Sequence, residues 1–166
     1  MEDYKALWKM TYDYLAVERG LDMAWAYSPS QTAFDEFALE RYPGDEIIDI
    51  IGVDRYAGKN QTEINPGYIA GMQHEMDVLG AFAAEHGLLL AVTETGQEGQ
   101  TCPLWWTEEL LPGIEGHPVS YILTWRNAWD PGHVGHWFSS FKGAGSEEDF
   151  LKYYESEKTY FPNDIQ

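Results

Sequence analysis

Four segments of the sequence place polar and aromatic side chains directly after apolar runs, in a pattern that suits chemistry on sugars. These segments are Tyr27-Ser28, Asp54-Arg55-Tyr56, Glu94 and Trp125-Arg126-Asn127. Aromatic rings stack on pyranose faces, while carboxylates accept hydrogen bonds from hydroxyl groups. An ionised carboxylate that is held in place among such rings can act as a nucleophile. The combination therefore predicts a carbohydrate site centred on Glu94.

The elements that must position these side chains alternate between short apolar runs and helical patterns. The predicted strands cover 21–27, 46–53, 87–93 and 118–124, and the predicted helices cover 2–19, 29–41, 65–86, 103–111 and 146–157. Ser28 and Ser146 are predicted N-caps. Continuous apolar strands that are each followed by a helix are typical of a parallel sheet covered by helices. The expected fold class is α/β, with residues 1–166 forming one domain.

Glu94 is the sharpest of the candidate residues. A carboxylate that leaves a buried strand must be hydrogen-bonded or used in function. Ligands of parallel α/β folds bind at the C-terminal ends of the strands, so polar residues there are expected to meet. In such a sheet the neighbours of Glu94 are Asp54 and Tyr56 on one side and Trp125 and Arg126 on the other. We therefore expect Tyr56 to hydrogen-bond Glu94 and Trp125 to wall the same cleft.

Composition excludes several classes of function. Lys plus Arg number 10 against 28 Asp plus Glu, and the formal net charge of −18 repels nucleic acid and anionic lipid. No apolar run reaches the roughly 18 residues of a membrane span, and no targeting segment is predicted at the N-terminus. Cys102 is the single cysteine, which excludes an internal disulfide and a cysteine-rich metal site. His133 and His136 have only weak ligand spacing, so we predict no metal and no cofactor.

The sequence resembles glycoside hydrolase family 26, which is best known for endo-β-1,4-mannanases. The matching stretches are AWAYSPS (24–30), YPGDEIIDIIGVDRY (42–56), AVTETGQEG (91–99), WWTEELLP (105–112), SYILTWRNAW (120–129) and FPNDI (161–165). They occur in order over almost the whole chain. The resemblance implies a (β/α)8 barrel and a retaining double-displacement mechanism.

The resemblance also implies roles for individual residues. Glu94 matches the nucleophile, and Tyr56 matches the tyrosine that hydrogen-bonds the nucleophile. Asp54, Trp125 and Arg126 match residues that line the sugar subsites, with Trp125 as a stacking wall. Tyr27, at the end of the first predicted strand, is grouped with these substrate-binding residues.

The chain also departs from the family pattern. Its four strands correspond to strands five to eight, and a full barrel needs about 250 residues. The strand-four motif that carries the acid/base is missing, and His74-Glu75, the one His-Glu pair, is predicted to face solvent within a helix. We therefore expect a half-barrel that carries the nucleophile but not the acid/base, and no activity of the chain alone. A non-catalytic piece that folds or binds sugar is the alternative.

The expected partners follow from these points. β-Mannan is the leading substrate, with mixed-linkage β-glucan and β-1,3-xylan as alternatives. Half of a barrel leaves two sheet edges open, near 21–27 and 118–124. We therefore expect the chain to pair with the missing N-terminal half of the barrel or to self-associate. Whether the chain is a truncation, a split half or a deliberate half-barrel is left open.

Overall fold

The computed structural model describes residues 2–31 and 38–162, and its strands form one four-stranded sheet. The strands are β1 (Ala26–Tyr27), β2 (Ile50–Tyr56), β3 (Leu89–Gly96) and β4 (Val119–Thr124). They are parallel and lie in the order β1-β2-β3-β4, with Ala26 of β1 paired to Ile50 of β2. Consecutive strands that lie side by side are what repeated βα units produce. The predicted parallel α/β arrangement is confirmed.

Helices follow or precede these strands as the sequence predicts. They are α1 (Glu2–Tyr12), continued by a π-helical segment (Asp13–Glu18), α2 (Pro66–His86), a π-helical segment (Trp106–Leu110) that continues into α3 (Leu111–Ile114), and α4 (Glu147–Tyr154). The Asn65 side chain accepts a 3.0 Å hydrogen bond from the backbone N–H of Gly67, which caps α2 at its start. Within the two described ranges, no helix has the length and apolar character needed to cross a membrane.

The strand boundaries differ from those predicted. β1 is shorter than 21–27, and β2 begins at Ile50 rather than at residue 46. The apolar residues Ile47 and Ile48 are buried, but they lie in a turn whose amides bond the Gly44 carbonyl. β3 extends to Gly96, so Glu94 lies within the strand rather than after it. Apolar content indicates burial correctly at Ile47 and Ile48 but not at Leu21, which is exposed. The limits of a strand depend on hydrogen bonds with its neighbours.

Three helix predictions also need correction. The helix predicted to stop before Pro112-Gly113 instead includes both residues, since Pro112 lies in the first turn of α3 and Gly113 packs on Met72. Ser146 stands at the N-cap of α4, but its hydroxyl donates to Gln100 rather than capping the helix. Residues 32–37 of the helix predicted at 29–41 lie outside the described residues, and residues 38–41 form a turn. Ser30 forms an isolated parallel bridge with Asp54, so no helix begins directly after Ser28, the predicted N-cap.

The chain divides into two compact units, and the first comprises Met1–Arg55, Glu75–Thr93 and His117–Leu123. Its apolar core includes Ile51, Val53 and Val92, whose side chains are fully buried. Gly52 allows β2 and β3 to approach closely, because a Cβ there would lie 2.5 Å from the carbonyl oxygen of Ala91. This unit contains the beginnings of β2, β3 and β4 together with α1 and the C-terminal part of α2.

The second unit comprises Tyr56–His74, Glu94–Gly116 and Thr124–Gln166. Trp105, Tyr68 and Leu110 are buried in its core. The carboxylate of Asp149, from α4, accepts hydrogen bonds from the backbone N–H groups of Trp106 and Thr107 at 2.9 and 3.0 Å. An acceptor at the start of the helical segment satisfies N–H groups that have no partner within the helix.

Candidate active site

Glu94 and Tyr56 stand on adjacent strands, and their side chains are hydrogen-bonded to each other. Glu94 lies within β3 and Tyr56 is the last residue of β2. The hydroxyl group of Tyr56 donates to Oε1 of Glu94, and both residues are partly buried. The expected contact is therefore present in the structure. It holds one oxygen of the carboxylate in a fixed direction.

The backbone beyond Glu94 is fixed from several sides. The carbonyl group of Thr95 accepts a 2.9 Å hydrogen bond from the N–H of Trp125, and that of Gly96 accepts one of 3.0 Å from Ala57. The buried hydroxyl of Thr95 lies 2.7 Å from the hydroxyl of Tyr68, which comes from α2. Anchoring of the residues that follow Glu94 limits where its carboxylate can lie.

Trp125 and Arg126 follow β4 and are exposed. The side chain of Trp125 is 37% exposed, which leaves indole surface available for a ligand. The loop behind it is fixed by Asn127, whose side chain donates to the carbonyl of Ser139 at 2.8 Å and accepts from the Ser139 N–H at 2.9 Å. The predicted roles of Trp125 and Arg126 in sugar binding stay predictions.

Asp54 and Tyr27 belong to the first unit, and both are tied to its backbone. The N–H of Asp54 donates to the carbonyl of Pro29 at 3.1 Å, and its carbonyl accepts from Gln31 at 2.9 Å. Tyr27 is buried, and its hydroxyl donates to the carbonyl of Ala38. Burial raises the pKa of Tyr27 to about 12. The hydroxyl of Tyr27 is thus used inside the protein, and the substrate-binding roles of both residues stay predictions.

Glu75 does not face solvent as the sequence predicts. It is 1% exposed, and its carboxylate pairs with the guanidinium of Arg55 through contacts of 2.6 and 2.7 Å. This two-point geometry is the one that best compensates the burial of two charges. The helical pattern could not reveal the contact, because the partner lies 20 residues away along the chain.

Two glutamines that follow Glu94 are buried and clamp the loops of the second unit. The side chain of Gln97 accepts hydrogen bonds from the N–H groups of Thr101 and Cys102 and donates to the carbonyl of Gly58. The side chain of Gln100 donates to the carbonyl groups of Gln97 and Phe138. Both glutamines lie in the stretch TGQEGQ. Their burial could not be predicted from the sequence, because this stretch has no apolar periodicity.

Glu98 joins two further loops of the same unit. Its carboxylate lies 2.9 Å from the ammonium group of Lys59 and 3.2 Å from Nδ1 of His136. Burial raises the pKa of Glu98, but the hydrogen bonds from Lys59 and His136 outweigh it and leave the pKa below its ordinary value. The carboxylate is therefore ionised at neutral pH and binds both basic groups.

Four of the five histidines contact a carboxylate. His133 contacts Asp130 at 2.7 Å, and His86 contacts Asp45 at 2.9 Å. Throughout residues 2–31 and 38–162, no group of three or more His, Cys, Asp or Glu side chains is arranged to hold a metal ion.

Comparison with known proteins gives consistent matches to one family. The model of Glycosyl hydrolase family 26 matches residues 1–89. A mannan endo-1,4-beta-mannosidase of Bacillus subtilis is 30% identical over 130 residues, which are 77% of this chain and 32% of that protein. A mannan endo-1,4-beta-mannosidase of Bifidobacterium adolescentis is 26% identical over 94% of this chain and 17% of its own length.

A solved structure agrees with these sequence matches. A GH26 beta-mannanase from Bacteroides ovatus superposes with a TM-score of 0.88 and 39% identity, covering 99% of this chain and 46% of that chain. The chain thus spans less than half the length of each of these relatives. Its four parallel strands and their helices correspond to half of a (β/α)8 barrel, as the resemblance implied.

Proposed function

Because this chain belongs to glycosyl hydrolase family 26, we propose that it carries the nucleophile half of a retaining endo-β-1,4-mannan hydrolase. The observation that supports this role is the hydrogen bond from Tyr56 to Glu94. A phenol that donates to one carboxylate oxygen leaves the other oxygen to attack. Net charge also favours an uncharged polysaccharide, since a formal charge of −18 repels polyanions.

The proposed reaction is a double displacement. Oε2 of Glu94 attacks the anomeric carbon, a covalent glycosyl-enzyme forms, and the glycosidic oxygen leaves with a proton from a general acid. Water then attacks the same carbon, the ester bond to Glu94 breaks, and the sugar is released with its original configuration. Tyr56 stabilises the carboxylate before attack and after release. Trp125 would stack on a sugar ring, while Asp54 and Arg126 are proposed to contact the substrate. Tyr27 is 2% exposed and its hydroxyl donates to the carbonyl of Ala38, so no substrate contact is proposed for it.

The general acid is proposed to come from outside this chain. Retaining glycosidases place their two carboxyl groups about 5–5.5 Å apart, so a second carboxyl group must approach Glu94. Glu75 is the only glutamate that follows a histidine here, and its carboxylate is bound to Arg55. That pairing supports the proposal that Glu75 does not serve as the acid, and that the isolated chain is inactive.

Exposed apolar residues support a protein partner. One face of α1 and of the segment after it exposes large apolar side chains. They belong to Tyr4, Leu7, Met10, Tyr14 and Val17. Tyr121 and Leu123 of β4, at one edge of the sheet, are exposed as well. Apolar surface gains about 25 cal/mol per Å² when it is buried. We propose that the rest of a family-26 barrel, or a second copy of this chain, covers these surfaces.

A non-catalytic role is the second candidate. The engagement of Glu75 with Arg55 favours it, because this chain then offers no acid in the expected His-Glu position. In that case the chain would bind mannan, mixed-linkage β-glucan or β-1,3-xylan without hydrolysing it. Binding of mannan without any hydrolysis, with or without the other half of a barrel, would support this candidate.

Azide rescue tests the nucleophile assignment. The chain is mixed with the N-terminal half of the similar Bacteroides ovatus mannanase, and hydrolysis of mannan is measured. Glu94→Ala should abolish hydrolysis, and added azide should then displace the aryl leaving group of an activated aryl β-mannobioside to give the α-mannobiosyl azide. Azide replaces the missing nucleophile, so a product of inverted configuration identifies Glu94 as that group.

Glu85→Ala is the matched control, because Glu85 is exposed on α2. It should leave the rate of the mixture unchanged. Glu75→Ala is unsuited as a control, since it breaks a buried ion pair. Full activity of Glu94→Ala in the mixture would refute the proposed role of Glu94.

A further inference from the structure

We propose that Phe138 is a positioning residue, which acts on the carboxylate of Glu94 by fixing the ring of Tyr56. The expected effect on catalysis rests on the proposed function. The positioning itself is argued from contacts within the second unit. Phe138 lies in the loop between β4 and α4 and is 7% exposed. Its predicted effect is on the direction of the Tyr56 hydroxyl group.

The contact between the two rings is direct. Their centroids lie 5.2 Å apart with the planes inclined at 72°, an edge-to-face arrangement that aromatic pairs favour. The hydroxyl of the same Tyr56 donates to Oε1 of Glu94. A phenol can reach a carboxylate only over a narrow range of side-chain torsion angles. The ring of Phe138 therefore occupies space into which Tyr56 would otherwise turn.

The ring of Phe138 also sits tightly against the strand that carries Glu94. A Cβ on Gly96 would lie 2.8 Å from Cδ1 of Phe138 and 2.9 Å from its Cβ. Gly96 has a φ of +153°, which L-residues with a side chain rarely adopt. Glycine at this position thus allows Phe138 to pack beside the end of β3, two residues beyond Glu94.

Two side-chain amides hold the main chain of Phe138. Its N–H donates to Oδ1 of Asn127 at 2.8 Å, and its carbonyl accepts from Nε2 of Gln100 at 2.8 Å. Gln100 is fully buried and is itself held by the hydroxyl of Ser146. Both backbone groups of Phe138 are therefore fixed by loops that follow β3 and β4. Hydrogen bonds to both backbone groups of an apolar residue fix the position of its ring, as a positioning role requires.

The first measurement is the ¹³Cζ resonance of Tyr56, which reports the hydrogen bond without requiring activity. The protein is labelled with ¹³Cζ-tyrosine, and the Tyr56 signal is identified by its loss in Tyr56→Phe. The position of this signal is then compared with that in Glu94→Gln, in which the carboxylate acceptor is replaced by an amide. Phe138→Leu should move the resonance in the direction seen for Glu94→Gln, by at least half as much. Phe141→Leu is the control, because Phe141 packs on Trp129 and Trp137. It should leave the resonance unchanged.

Phe138→Met is the second variant, in case Phe138→Leu fails to fold. Methionine is unbranched and flexible, so it can fill part of the space left by the ring without supplying its rigid surface. A folded variant, judged by circular dichroism, in which the Tyr56 resonance stays at its original position would overturn the proposal. A purely structural role would lower the melting temperature without moving this resonance.

The second measurement uses the mixture with the N-terminal half of the Bacteroides ovatus mannanase. Phe138→Leu should lower kcat about tenfold with KM unchanged, and it should cause little further loss in a Tyr56→Phe background. Additive losses in the double variant would overturn the proposal. If no mixture hydrolyses mannan, the proposed function fails, and the resonance of Tyr56 still decides whether Phe138 positions it.

Discussion

The two units of this chain bury polar groups in different ways. In the first unit, Glu75 is the one buried polar residue within the described ranges, and its partner is Arg55. The buried polar residues of the second unit are Thr95, Gln97, Gln100, Glu109, Ser146 and Asp149. One unit depends on apolar packing and an ion pair, whereas the other depends on many hydrogen bonds made by buried amides, hydroxyls and carboxylates.

The difference reflects what each unit contains. The second unit holds the loops that follow β2, β3 and β4, where the candidate site lies. Loop backbone has no ladder partners, so its buried N–H and carbonyl groups need side chains as partners. Gln97 and Gln100 supply them. The loops that follow the strands carrying Glu94 and Tyr56 are therefore made rigid by buried amides, and the following predictions test that comparison.

Loss of Arg55 should have the largest effect on stability. Arg55→Ala leaves the carboxylate of Glu75 buried without its partner, and we expect the free energy of unfolding to fall by about 3–5 kcal/mol. Urea denaturation measures this change. Lys9→Ala is the control, since it breaks an exposed pair with Asp13 and should cost about 0.3–0.5 kcal/mol. Equal losses in both variants would contradict the distinction between buried and exposed pairs.

Loss of the buried amide of Gln100 should have the second largest effect on stability. Gln100→Ala leaves the carbonyl of Phe138 and the hydroxyl of Ser146 without this partner, and we expect a loss of about 2–3 kcal/mol. Gln73→Ala is the matched control, because Gln73 is exposed where it bonds the carbonyl of Pro112, and its loss should change stability by about 0.5 kcal/mol. If the two glutamines prove equivalent in thermal unfolding, the amide clamps do not stabilise the second unit.

Because of Glu109, the stability of the second unit should fall as pH rises. Burial raises its pKa, against the hydrogen bonds from the Asn65 N–H and the Gln61 side chain. A raised pKa in the folded state stabilises the protein below the ordinary pKa of glutamate, and this contribution is lost as pH rises through the raised value. The free energy of unfolding of Glu109→Gln should therefore match that of the parent near pH 4 and exceed it at pH 8. Identical pH profiles would exclude a buried ionisable Glu109.

Asp45 should have the smallest effect on stability, and its contribution should vary with pH in the opposite direction to that of Glu109. Hydrogen bonds from His86 and then Tyr42 lower the pKa of this exposed carboxyl group. Its contribution to stability is present above the ordinary pKa of aspartate and is lost as pH falls through the lowered value. Asp45→Asn should slightly reduce the melting temperature at pH 6 and leave it unchanged at pH 2. A reduction that is larger at pH 2 would show that the pair is not electrostatic.

Local pattern in the sequence was sufficient for the fold class and for the central pair of the site. Four apolar runs alternating with helical patterns predicted the parallel sheet, because burial on both faces requires continuous apolar strands. The same order placed Tyr56 and Glu94 on adjacent strands, since consecutive parallel strands lie side by side. These features depend on residues close together in the chain or on the general rules of βα units.

Only the tertiary structure determined the limits of the strands and the partners of buried polar groups. Glu94 lies inside β3 because a ladder continues through Gly96, and a ladder depends on the neighbouring strand. Glu75 is buried because Arg55, 20 residues earlier, neutralises it. Gln100 is buried because the carbonyl of Phe138, 38 residues later, needs a donor. Such contacts join residues that are distant along the chain, so no local pattern in the sequence reveals them.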